Sequence, residues 1–172
     1  MAAIFAFKCS CCDKIHEGSP SVAFRAPDHY ACLTDEQKAE SGKISDDFCV
    51  ITHDKGTDYF VRAVLEVPIH GVEDPFTWGV WVSVSKKSFD RYWETFEQPI
   101  EGDGFFGWLC NEISVYPYSK SRPADVRVQP GNQRPKVVLH RGDPDDDQLV
   151  IDQTEGITVE RAQELAERAL HA

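Results

Sequence analysis

The stretch "TWGVWVSVS" at 77–85 alternates so cleanly that it specifies a strand with two different faces. Trp78, Val80, Val82 and Val84 fall on one face, and Gly79, Trp81, Ser83 and Ser85 on the other. Just before it, "DDFCVITH" and "DYFVRAVLEVPI" are rich in β-branched and aromatic residues and are joined by "DKGT", which predicts a hairpin. Pro68 should end the second of these strands or set it at an edge. "ADVRVQPGNQRPKVVLHR" offers two more strands around a Pro-Gly-Asn turn, and "QLVIDQ" reads as a further short strand. "GDGFFGWLCNEI" reads as a glycine-rich loop entering a short strand or helical turn.

Helical spacing is found at three places. "LTDEQKAESG" pairs Thr34 with Gln37 as a capping box and stops at Gly42. "KSFDRYWETFEQ" places Phe89, Tyr92, Trp93 and Phe96 on one stripe and ends before Pro99. After Thr158 as N-cap, Val159, Ala162, Leu165, Ala166, Ala169 and Leu170 form a closing stripe. The expected fold is therefore α+β: one domain over 1–172, a mainly antiparallel sheet with a central amphipathic helix and a C-terminal helix. Within it, 1–30 is an irregular N-terminal segment, 45–155 a sheet-rich core and 158–171 the last helix. No fixed-period repeat or linker divides the chain.

Charge narrows the function classes. Eighteen basic against 29 acidic residues leave a net charge of −11, which repels phosphate backbones and anionic bilayers. The expected partner is a protein, not nucleic acid or membrane; a basic one would suit the surface. The start "MAAIFAFKCS" lacks the basic region, long apolar run and cleavage site of a signal peptide. A cytoplasmic chain with reduced thiols is the expectation, so the six cysteines are not read as three disulfides.

Three of those cysteines crowd into "FKCSCCDKIHEG". Cys9 and Cys12 have the C-x-x-C spacing by which two thiolates on one tight turn reach a tetrahedral Zn²⁺, and His16 follows a short turn later. The fourth ligand must come from afar, and Cys49 on its strand is the candidate. Such a zinc would be structural, pinning the leader onto the sheet. Two alternatives stay open: thiols that pack as small buried hydrophobes, and an enzyme, either a thiol-dependent hydrolase or a redox protein, using a Cys/His site. Against the hydrolase, Cys49 and His53 lie four apart on an extended strand, about 13 Å from each other, and no G-x-S-x-G elbow occurs. Against the redox protein, no helix is expected after the C-x-x-C pair.

Other tempting stretches fail on spacing. Asp143, Asp145 and Asp147 alternate as in a calcium loop, yet the sixth and twelfth positions are Gln148 and Thr154 instead of glycine and glutamate. "GDGFFGWL" has neither the lysine nor the Ser/Thr of a phosphate loop. Trp81 shares the more polar strand face and, with Trp108, is the candidate binding surface, because aromatics dominate interface hot spots; the alternative is that a second layer covers Trp81.

At "WGVWVSVS", "GFFGWL", "NQRPKVVL" and "EGITVERAQEL" the chain resembles, over nearly its full length, the bacterial family of domain of unknown function 2199. Members typically open with Cys-x-x-Cys-Gly and a nearby histidine, followed by a D-x-C-x-I strand, "DDFCVI" here. Asp13 stands where members carry glycine, and Cys11 is additional. The resemblance implies a bacterial cytosolic protein and implies no activity.

Overall fold

The computed structural model describes residues 4–141 and 147–171 of the 172. The leader is not irregular throughout. β1 (Ala6–Lys8) and β2 (Ile15–Glu17) pair antiparallel as a two-stranded ribbon, with Phe7 opposite His16. β3 (Ser21–Ala23) leaves that ribbon and joins the main sheet. Two short helices follow, α1 (Asp28–Ala31) and α2 (Asp35–Ser41); the second starts on the expected capping box of Thr34 and Gln37.

β4 (Gly42–Ile44), β5 (Phe48–His53) and β6 (Gly56–Val67) run antiparallel, and the "DKGT" turn makes the β5–β6 hairpin with His53 opposite Gly56. β6 ends where Pro68 removes a donor from the ladder. β7 (Phe76–Val84) is the alternating strand, and α3 (Lys86–Glu94) follows with Ser85 as its N-cap. β8 (Gly104–Leu109) lies in the stretch expected as a glycine-rich loop entering a short strand or helical turn, and the strand takes in Gly104 and Gly107. β9 (Pro123–Arg127) and β10 (Lys136–Leu139) are the strands around the Pro-Gly-Asn turn.

β6, β7, β8, β9 and β10 pair in sequence, and β10 returns to β6, closing a five-stranded barrel. Successive antiparallel pairings around an odd number of strands leave the closing pair parallel, and Lys136 lies beside Val64 in that sense. β3 is also parallel to β7. The sheet is thus mixed, which corrects the mainly antiparallel expectation; the α+β class stands. Strand length makes the closure possible. β6, with 12 residues, serves β5 with its first half and β10 with its second along one edge, while β7 takes the other edge.

Period-2 alternation fills the barrel. Val61, Ala63, Leu65 and Val67 of β6 point inward with Trp78, Val80 and Val82 of β7, Leu109, Val126 and Val137. Gly107 sits in β8 because a Cβ there would run into Val82 Cγ1 and the Ser83 carbonyl. Phe48, Phe89 and Tyr92 continue this core under α3, their rings packed edge-on or tilted. The outer face of β5–β6–β7 holds a second apolar layer of Cys49, Ile51, Phe60, Trp81 and Cys110, covered by Phe24, Tyr30 and Leu33.

"QLVIDQ" corrects another expectation: α4 (Gln148–Glu155) is a helix. Three consecutive apolar residues suit either period, and the bracketing signals decide. Asp147 caps it by accepting the Val150 N–H, and Gly156 ends it at φ 79°. Of the acidic run read against calcium, Asp147 is therefore a cap; Asp143 and Asp145 lie outside the described residues. α5 (Val159–Leu170) starts at Thr158 as expected and buries Ala162, Leu165 and Ala166. Buried Asp152 of α4 accepts from Tyr116 Oη, Arg161 and Gln148, tying α4, α5 and the 111–121 loop together.

Candidate metal centre

The ribbon turn is built like a thiolate knuckle. The Cys9 N–H donates to the Lys14 carbonyl at 2.9 Å and the Asp13 N–H to the Cys9 carbonyl at 3.1 Å, which folds residues 9–14 back on themselves. Asp13 takes φ 55°, the left-handed conformation that glycine adopts freely and aspartate tolerates better than most residues. The turn therefore survives without its glycine. The Cys11 N–H points at Cys9 Sγ at 3.4 Å. Burial would raise the Cys9 thiol pKa, but the N–H groups of Cys11 and Cys12 and the Cys12 side chain outweigh it and hold the thiol below its ordinary value.

α5 brings His171 to this turn. Gln163, Glu167 and His171 recur every four residues, so they form one row along the helix. That row faces the ribbon: Gln163 donates to the Lys8 carbonyl at 3.5 Å, Glu167 accepts the Ser10 N–H at 2.9 Å, and His171 Nε2 lies 3.0 Å from Cys9 Sγ. The Ser10 N–H in turn holds the Glu167 carboxyl below its ordinary pKa. On the ribbon itself, Cys12 Sγ is 3.4 Å from His16 Nε2, and the His16 ring stacks on Phe7 at 5.2 Å.

Cys9, Cys12, His16 and His171 each offer one ligand atom, and all four atoms lie within 4.8 Å of one another. In a tetrahedral Zn²⁺ site with ordinary Zn–S and Zn–N bonds, ligand atoms stand about 3.3–3.8 Å apart. The two sulfur–nitrogen separations fall on either side of the lower end of that range, at 3.0 and 3.4 Å, so small side-chain movements suffice. Cys9 is buried, Cys12 and His16 are half-buried, and His171 is exposed.

The structure brings together Cys9, Cys12 and His16 of the residues expected to meet, but not Cys49. Cys49 lies in the second apolar layer with Phe60 and Trp81, outside this group. Burial pushes its thiol up to about 12. Cys49→Ala is expected to leave metal uptake unchanged, and native Cys49 is expected to resist iodoacetamide at pH 8 while exposed Cys11 and Cys32 react. Loss of metal from that variant, read by elemental analysis, would return Cys49 to the ligand set.

Trp81 is a second correction. It is 0% exposed, with its Nε1–H donating to the Phe24 carbonyl at 3.1 Å and its backbone N–H to Asn111 Oδ1 at 2.8 Å. β3 and α1 cover the sheet face that serine and glycine had marked as polar. Trp108, in contrast, is 47% exposed on β8, edge-on to exposed Phe106. Among the other candidates, Cys110 is buried with its thiol pushed up to about 12 by burial. His53 contacts Asp58, and His70 contacts the Glu155 carbonyl. Among the described residues, the Cys–His contacts are those of the ribbon cluster.

Fold and cluster together define a closed mixed barrel with a Cys₂His₂ group between its N-terminal ribbon and C-terminal helix. Residues 8–157 match the family of domain of unknown function 2199, described as uncharacterized proteins conserved in bacteria, and the chain belongs to that family. The matched region includes Cys9, Cys12 and His16 and stops before His171. No curated protein and no solved structure matches the chain. No helix among the described residues is long and apolar enough to cross a membrane.

Proposed function

We propose that this is a non-enzymatic binding protein whose ribbon and last helix are stapled by a structural Zn²⁺ held by Cys9, Cys12, His16 and His171. The observation that carries the reading is the convergence of four ligand atoms within 4.8 Å from residues as far apart as 9 and 171. Soft thiolates and imidazoles suit zinc, and four protein ligands are the mark of a structural site; a catalytic site keeps one position for water or substrate. With the metal closed in, partner binding falls to the surface. The exposed Phe106–Trp108 pair on an acidic protein suits a protein partner of basic character. A thiol hydrolase gains no support from Cys49 or Cys110, whose thiols are buried, protonated at neutral pH and without a histidine in contact among the described residues.

Zinc titration of the apoprotein against a competing chelator tests the ligand set. The wild type is expected to take up one equivalent. His171→Ala should still bind through the ribbon, but more weakly by at least the roughly 10–100-fold that loss of a supporting outer-shell partner costs. Equal affinity in the two proteins would remove His171 from the set, and no uptake by the wild type would remove the metal.

A further inference from the structure

We propose that the cluster is also a site of oxidative modification: a hydroperoxide converts Cys9 and Cys12 to a disulfide, which expels the metal and unlatches the ribbon from α5. This rests on the metal reading above. Geometry carries it. The two sulfurs belong to one C-x-x-C turn and lie within 4.8 Å of each other, so disulfide formation needs no movement of distant backbone. Their accessibilities differ in a useful way. Cys12 is half-buried and open to a small oxidant, whereas Cys9 is buried beside it and suited to resolve the product.

The chemistry balances with the peroxide as the named oxidant. Cys12 sulfur attacks one peroxide oxygen, the O–O bond breaks, and the departing oxygen leaves as water (or an alcohol) after taking a proton. Cys12 is then a sulfenic acid. Cys9 thiolate attacks that sulfur, the S–S bond forms, and hydroxide leaves and is protonated to water. Two electrons pass from the two sulfurs to the peroxide, and the metal ion keeps its charge. Only His16 and His171 then remain as donors, too few to hold zinc.

Release matters structurally because, among the described residues, the hydrogen bonds across the latch are few. Besides the cluster they are the Ser10 N–H to Glu167 and Gln163 to the Lys8 carbonyl. The ribbon carries Phe5 and Phe7 into the core, so loosening it bares apolar surface at that end of the molecule. Cys11 is exposed and outside the ligand set, which makes it the internal control.

The test loads wild type and Cys11→Ser with one equivalent of zinc and adds hydrogen peroxide. Freed metal is followed with a chromogenic chelator, and the peptide spanning residues 9–14 is weighed after alkylation. In both proteins one zinc should appear for every Cys9–Cys12 pair oxidised, the peptide should lose two hydrogens at that pair, and hydrogen exchange at Ser10 should accelerate. Dithiothreitol with zinc should reverse all three. Zinc retained while Cys11 alone is oxidised, or thiols carried to sulfinic acid without a disulfide, would overturn the inference and leave the metal reading intact. A protein that takes up no zinc before peroxide is added overturns both.

Discussion

On the zinc reading, chelation is expected to lower the melting temperature by roughly 8–16 °C, and the Cys9→Ser/Cys12→Ser double variant is expected to melt at the same lowered temperature whether or not zinc is present. The magnitude follows from linkage. A ligand present at a thousand times its dissociation constant stabilises the native state by about 4.1 kcal/mol, and each kcal/mol moves the midpoint of a domain this size by about 2–4 °C. Unlike a small zinc finger, this chain has a barrel core that does not depend on the ion, so apoprotein is expected to stay folded with a displaced ribbon. Differential scanning calorimetry with and without chelator measures it. If chelator moves nothing and the double variant melts with the wild type, the thiols merely pack.

The two tryptophans offered together as a surface should part company on substitution. Trp81→Ala removes a fully buried ring from the second apolar layer and strands the Phe24 carbonyl that its indole N–H satisfies. A loss of about 3–5 kcal/mol is expected, the range for Phe or Trp to Ala in a core, equivalent to roughly 6–20 °C. Trp108→Ala takes away an exposed ring and should stay within about 0.5 kcal/mol of wild type. Urea denaturation reads both. If Trp81→Ala were as mild as Trp108→Ala, the packing of β3 and α1 over the sheet would be wrong. On the binding reading, Trp108→Ala should cost partner capture and leave stability alone.

Much of the scaffold was legible in the chain because its signals are local. The alternation at 77–85, the "DKGT" hairpin, the Thr34 capping box and the Thr158 N-cap each depend on neighbours within a few residues, and each element forms. Barrel closure was not legible. It depends on β10 finding β6 across some 70 residues, and no local pattern records a parallel closing pair. The face around Trp81 left exposure and cover as alternatives for a related reason: what covers it arrives from residues 24–33, far off in sequence. "QLVIDQ" failed on period, with Asp147 and Gly156 as the signals that were available.

For the cluster the division is the same. C-x-x-C with His16 is a local motif, whereas the approach of His171 in place of Cys49 depends on tertiary docking. One sign was present, the i, i+4 row of Gln163, Glu167 and His171 beside the apolar stripe of the last helix. A stripe search follows apolar residues and passes over a polar row that docks on another element.

X-ray absorption at the zinc edge of the loaded protein interrogates the ligand set directly. Two sulfurs at about 2.3 Å and two imidazole nitrogens at about 2.0–2.1 Å are expected, with one nitrogen lost in His171→Ala. A shell with three sulfurs, or one dominated by oxygen, would contradict the latch between ribbon and helix.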